Sequence, residues 1–188
     1  MTDWPVIVMV DSPSATKDLA GRLSGLCESG DVILLIGDLG AGKTAFAQGF
    51  AAALGVEGPV TSPTFALVRQ YHCAQGRAVE TLIHADVYRT GSLGEVAELA
   101  LAELVEERAV ALIEWGDLAA PAVGDDVLEV TLELTDTAEP ADATDVGSTE
   151  QRRITISGRG RWSGRAAEVA SVSAPAAAAV GAEPGAPS

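Results

Sequence analysis

Residues 32–44 read Val-Ile-Leu-Leu-Ile-Gly-Asp-Leu-Gly-Ala-Gly-Lys-Thr, an apolar run that breaks into a glycine-rich loop ending in Lys43 and Thr44. Val32–Ile36 is short, rich in aliphatic residues and free of polar interruption, the pattern of a strand buried on both faces. The next eight residues, Gly37, Asp38, Leu39, Gly40, Ala41, Gly42, Lys43 and Thr44, satisfy the phosphate-loop pattern G-x-x-x-x-G-K-[ST] throughout. Residues 45–54 then have the composition of a helix, closed by Gly55. Strand, loop and helix in this order are the context such a loop requires. The glycines let backbone N–H groups converge on one anion, and the helix dipole adds positive potential. Lys43 supplies charge for the β- and γ-phosphates of a nucleotide, and the Thr44 hydroxyl suits Mg²⁺. ATP or ADP with Mg²⁺ is therefore the expected ligand set.

The remaining pattern extends this unit into one domain. A strand is expected at Val6–Val10, followed by a helix from Ser14 through Cys27 with Ser12 or Ser14 as its cap. Residues 65–71 and 79–85, separated by a turn at Gln75 and Gly76, form an expected hairpin. Residues 92–107 carry Leu93, Val96, Ala97, Ala100, Leu101 and Leu104 on one helical stripe. Residues 109–113 are another central-strand run, and the alternating stretches 127–134 and 152–157 are expected to pair. The fold class is α/β: a P-loop NTPase fold with three α/β/α layers, a central mixed sheet and an inserted antiparallel hairpin. Residues 1–165 form the domain, 136–150 an acidic mobile loop, and 166–188 an Ala, Pro and Gly-rich tail expected to be disordered.

Charge narrows the partners. Twelve basic side chains stand against 27 acidic ones, a net charge of −15, so strong direct nucleic-acid binding by the chain alone is not expected. No apolar run approaches the roughly 18 residues of a membrane span. Residues 6–10 are too short an apolar run for a signal peptide, and Cys27 and Cys73 lack metal-ligand spacing, so a reducing, cytoplasmic setting is the simplest expectation.

Glu114 follows the 109–113 run, where a phosphate-loop enzyme places an acid facing the metal and the attacking water. Trp115 is either a wall of the same crevice or ordinary packing. His84, Asp86 and Tyr88 alternate along an extended segment and share a face, which suits either water and magnesium chemistry or a solvated edge. Arg89 beside them is compatible with a phosphate contact or an ion pair. Thr61, Ser62 and Thr64 surround Pro63 where switch segments reach a γ-phosphate, yet taken alone they describe a turn. Arg152, Arg153, Arg159, Arg161 and Arg165 cluster late in the chain, facing either nucleotide, an acidic partner or solvent. A chain without asparagine cannot carry the N-K-x-D guanine motif, and no D-x-x-G follows the phosphate loop, which argues against an ordinary GTPase.

Taken together, the loop at 37–44, Thr-Ser-Pro-Thr-Phe at 61–65, the segment His84-x-Asp86-x-Tyr88-Arg89 and Ile113-Glu114-Trp115 resemble the bacterial TsaE (YjeE-type) ATPases over about residues 5–160. The resemblance implies an ATP-binding, ATP-hydrolysing accessory protein of tRNA threonylcarbamoyladenosine formation, slow by itself and acting with TsaD-like and TsaB-like proteins. It implies Lys43, Asp86 and Glu114 as catalytic, with Asp86 the essential acid. Thr44 and Glu114 would face Mg²⁺, and residues 37–44, Thr64 and Trp115 the nucleotide. It also implies that the region Ser12 to Thr16 and Arg152 or Arg153 lie near adenine and phosphates. A small-molecule kinase and a nucleotide-gated binding module without turnover are the competing readings.

Overall fold

The computed structural model describes residues 3–63, 67–76, 78–88, 108–135 and 151–174. Its centre is a seven-stranded mixed sheet built from β1 (Val6–Val10), β2 (Val32–Ile36), β3 (Val68–His72), β4 (Thr81–Asp86), β5 (Ala109–Glu114), β6 (Val127–Thr135) and β7 (Gln151–Gly158). The order across the sheet is β1-β7-β6-β2-β5-β4-β3. Strands β6, β2, β5 and β4 run parallel, while β1, β7 and β3 pair antiparallel with their neighbours. The fold is thus the expected α/β P-loop NTPase type. The expected hairpin is β3 with β4, but β4 also ladders in parallel with β5, so only β3 is an antiparallel addition at the edge.

The two faces of the sheet follow from alternation. Ile33, Leu35, Leu82, Val110 and Leu112 meet helices α1 (Pro13–Ser24) and α2 (Lys43–Ala53) through Leu19, Leu23, Phe46 and Phe50. Val32, Leu34, Ile83, Ala85, Ala111 and Ile113 point to the opposite side, where α3 (Gly116–Val123) contributes Ala119. Strands covered on both faces need the uninterrupted apolar runs that the sequence has. Helix α1 starts where Pro13 supplies a pre-set first turn and the Ser12 hydroxyl accepts from the Ala15 N–H at 3.1 Å. Pairing of β6 with β7 sets Val130 opposite Ile156 and Leu132 opposite Ile154, all within the α1/α2 core.

Two elements depart from expectation. The stretch after Glu114, assigned no element from the sequence, forms α3, and at its first residue, Gly116, any side chain would run into Leu34 of β2. The tail expected from residue 166 is corrected: Ala166–Ser173 forms α4, with Ala166 and Val169 buried behind the short 3₁₀ turn Gly160–Trp162. Small residues conceal such a helix because alanine carries helix propensity without a strong apolar period. Two arginines fasten it. Arg22 Nε donates to the Val172 carbonyl at 2.6 Å, and Arg165 donates to the Leu26 carbonyl at 2.9 Å while lying 4.2 Å from the Trp162 ring centre. The expectations for 92–107, 136–150 and 175–188 lie outside the described residues. Among the described residues no helix is long and apolar enough to cross a membrane.

Because Val169 is fully buried against α1, Val169→Ala should lower unfolding free energy by about 1–2 kcal/mol in a denaturant titration. An unchanged midpoint would show that α4 does not contribute to the folded domain.

Candidate functional site

The phosphate loop hangs between the end of β2 and the start of α2. Gly37 has φ 144°, and a Cβ there would collide with the Leu132 carbonyl of β6, so neither backbone nor space admits another residue without rearrangement. Gly42 caps α2 in a left-handed conformation at φ 110°, with no side-chain capping hydrogen bond. The loop closes on itself through Ala41 N–H to Asp38 O at 3.1 Å. Arg152 of β7 is buried behind it and donates from Nε to the Ala41 carbonyl at 3.2 Å.

Lys43 folds back over the loop. Its ammonium donates to the carbonyls of Gly37 at 2.6 Å and Asp38 at 2.9 Å, and lies 3.8 Å from the ring centre of Trp115. Burial lowers its pKa from the usual lysine range, and Glu114, Asp86, Asp117 and Asp38 oppose that shift. A charged lysine held among carboxylates, carbonyls and an aromatic face is a cation with places to move to. An arriving phosphate would compete for it directly.

Parallel register brings the acids together. Glu114 of β5 pairs with both Leu35 of β2 and Asp86 of β4, so two carboxylates stand on neighbouring strand ends beside the loop. Both are buried. The Thr44 hydroxyl lies 3.2 Å from each oxygen of Glu114, and His84 Nε2 lies 3.0 Å from Oε1. Asp86 accepts from the Ser62 hydroxyl at 2.6 Å and from the Tyr88 backbone N–H at 3.1 Å. The face bearing His84 and Asp86 is therefore interior, which removes the solvated-edge reading for both. Tyr88 remains exposed and packs against Trp115, the rings tilted at 31° with centres 4.4 Å apart. Trp115 adopts φ 62°, an uncommon conformation for a bulky residue, and this turns its ring back over Lys43.

These groups surround a cleft of about 420 Å³ whose walls include Leu39, Gly42, Lys43, Ser62, Tyr88 and Trp115. Thr44 Oγ1 with the Glu114 and Asp86 carboxylates is a hard-oxygen donor set that fits magnesium, an ion that takes one or two carboxylates and completes its shell with phosphate and water. Among the described residues no cluster of three or more His, Cys, Asp and Glu side chains forms a closed metal cage.

Other candidates separate from this centre. Thr64 and Arg89 lie outside the described residues. Thr61 accepts from Arg69 Nη1 at 3.2 Å. The late arginines do not act as one patch: Arg159 pairs with Glu129 and Asp125, Arg161 with Asp31, and Arg165 with Glu168. Only Arg152 is shown against the phosphate loop. Of the residues that build the centre, the Ser62 contact to Asp86 was legible only as a hydroxyl near a proline. The His84 contact to Glu114 was visible only as a shared alternation with Asp86.

A family model described as threonylcarbamoyl adenosine biosynthesis protein TsaE matches residues 10–142. A tRNA threonylcarbamoyladenosine biosynthesis protein TsaE of Streptomyces coelicolor is 36% identical over 150 residues, covering 78% of this chain and 93% of its own. The protein of the same description from Bacillus subtilis is 37% identical over 121 residues, covering 64% of this chain and 73% of its own. The crystal structure of Bacillus subtilis YdiB superposes with a TM-score of 0.66 at 27% identity, covering 89% of this chain and 95% of that one.

The crowding at the head of the loop has a measurable consequence. Gly37→Ala should destabilise the protein by at least about 1 kcal/mol, since it meets both an unfavourable backbone conformation and the Leu132 carbonyl. A variant with parental stability would mean that the loop relaxes without cost.

Proposed function

This chain belongs to the TsaE family of tRNA threonylcarbamoyladenosine biosynthesis proteins, and we propose that within that process it binds and hydrolyses ATP as an accessory to TsaD-like and TsaB-like proteins in the cytoplasm. The observation that carries the reading is the convergence of Lys43, Thr44, Asp86 and Glu114 around one cleft at the head of the phosphate loop.

In this reading the loop amides of residues 37–44 receive the phosphates, and Lys43 leaves the Gly37 and Asp38 carbonyls to meet the β- and γ-phosphate oxygens. Thr44 and Glu114 would hold magnesium, which when bound offsets charge on the phosphates. Asp86, held by Ser62 and the Tyr88 amide, orients the water whose oxygen attacks the γ-phosphorus as the bond to the bridging oxygen breaks. Trp115 and Tyr88 form one wall of the cleft. The net charge of −15 agrees with a protein that leaves the gripping of tRNA to its partners.

Lys43→Ala should abolish the melting-temperature rise that Mg·ATP produces in the parent, because it removes the loop's cation. A rise equal to the parent's would reject the phosphate-site assignment. Asp86→Asn and Glu114→Gln should retain ADP binding and lose at least about 10-fold in phosphate release within the complete assembly. Parental rates in both would move the catalytic acids elsewhere.

A further inference from the structure

His84 is fully buried, its Nε2 lies 3.0 Å from Glu114 Oε1, and its Nδ1 has no hydrogen-bond partner among the described residues. Facing a carboxylate, which only accepts, Nε2 carries a proton, while Nδ1 is left without a partner among the described residues. Thr44 Oγ1 is equidistant, at 3.2 Å, from both Glu114 oxygens, so its single proton cannot decide which of them faces the loop. His84 breaks that symmetry. By engaging Oε1 alone it sets the rotation of the carboxylate and leaves Oε2 with the Thr44 hydroxyl as its partner.

We propose that His84 is a positioning residue, its Nε2–H fixing the Glu114 carboxylate so that one oxygen is presented with Thr44 Oγ1 to a magnesium nucleotide. The proposal rests on the reading of Glu114 as a metal-facing group. Its consequence lies in the metal dependence of binding, because among the described residues His84 hydrogen-bonds to neither the loop amides nor Lys43.

The test compares His84→Gln, whose amide nitrogen reaches the region of Nε2, with His84→Asn, whose amide falls short of it. Melting temperatures are read with ADP and chelator, then with ADP across a magnesium titration. Both variants should keep the metal-free ADP shift of the parent. The Asn variant should need about 10-fold more magnesium for half of the metal-dependent increment, the usual scale for removing the partner of a metal ligand, and the Gln variant should stay near the parent. Equal magnesium requirements in parent and Asn variant, or equal losses in both variants, would overturn the proposal. A parent whose ADP shift ignores magnesium would remove the premise itself, and the proposal with it. Imidazole ¹⁵N NMR of the parent, with His72→Gln to assign the two histidines, needs no variant at position 84. An Nε2–H tautomer at His84 is expected, and an Nδ1–H tautomer overturns the proposal even if a His84 variant fails to fold.

Discussion

Everything at the working end of this protein depends on holding two buried carboxylates and one lysine within a single small volume. Removing such groups from water costs several kcal/mol per ion unless each finds a partner. Here the partners are provided by the fold. Parallel pairing of β4, β5 and β2 fixes Asp86, Glu114 and the root of the phosphate loop at the same level of the sheet. Ser62 and the Tyr88 amide satisfy Asp86, while Thr44 and His84 satisfy Glu114. Lys43 is satisfied by loop carbonyls and the Trp115 face. Hydrogen bonds to uncharged groups supply much of this satisfaction, which in the proposed function would let a phosphate group and its cation enter.

That arrangement also explains the scaffold around it. The loop can be so tightly turned because β6 closes over Gly37 through Leu132 and β7 supports Ala41 through Arg152. These strands, in turn, are pinned by β1 and by the helix Ala166–Ser173, which Arg22 and Arg165 tie to α1 and the segment after it. A segment distant in sequence thus supports the loop through the sheet, and stability and site geometry are linked by packing.

What could be read from the amino acids divides along physical lines. The strand before Gly37, the loop itself, the acid after residues 109–113 and the pairing of β6 with β7 all rest on local pattern, and local pattern was enough. Helices α3 and α4 were hidden, the first by a glycine start and an internal Pro121, the second by a composition of small residues that resembles a linker. The arginine group 152–165 looked like one patch in sequence, but strand alternation and the turn at Gly160–Trp162 send its members to different partners. The contacts of Ser62 with Asp86 and of His84 with Glu114 join residues 24 and 30 positions apart. No local period encodes them: the first needs the loop at Ser62 brought to the end of β4, the second needs β4 and β5 in register.

Membership of the TsaE family places the chain in tRNA threonylcarbamoyladenosine biosynthesis, and the proposed division of labour leaves ATP turnover here and contact with tRNA to partners. Exposed Leu39 and Tyr88 line the cleft and leave the proposed nucleotide site open to completion from outside. The most direct measurement is steady-state phosphate release from Mg·ATP by the isolated chain and by the chain with TsaD-like and TsaB-like proteins of the same organism. Slow release alone and a clear acceleration in the assembly are expected. Full-rate release by the isolated chain, unchanged by the partners, would contradict the accessory-ATPase reading.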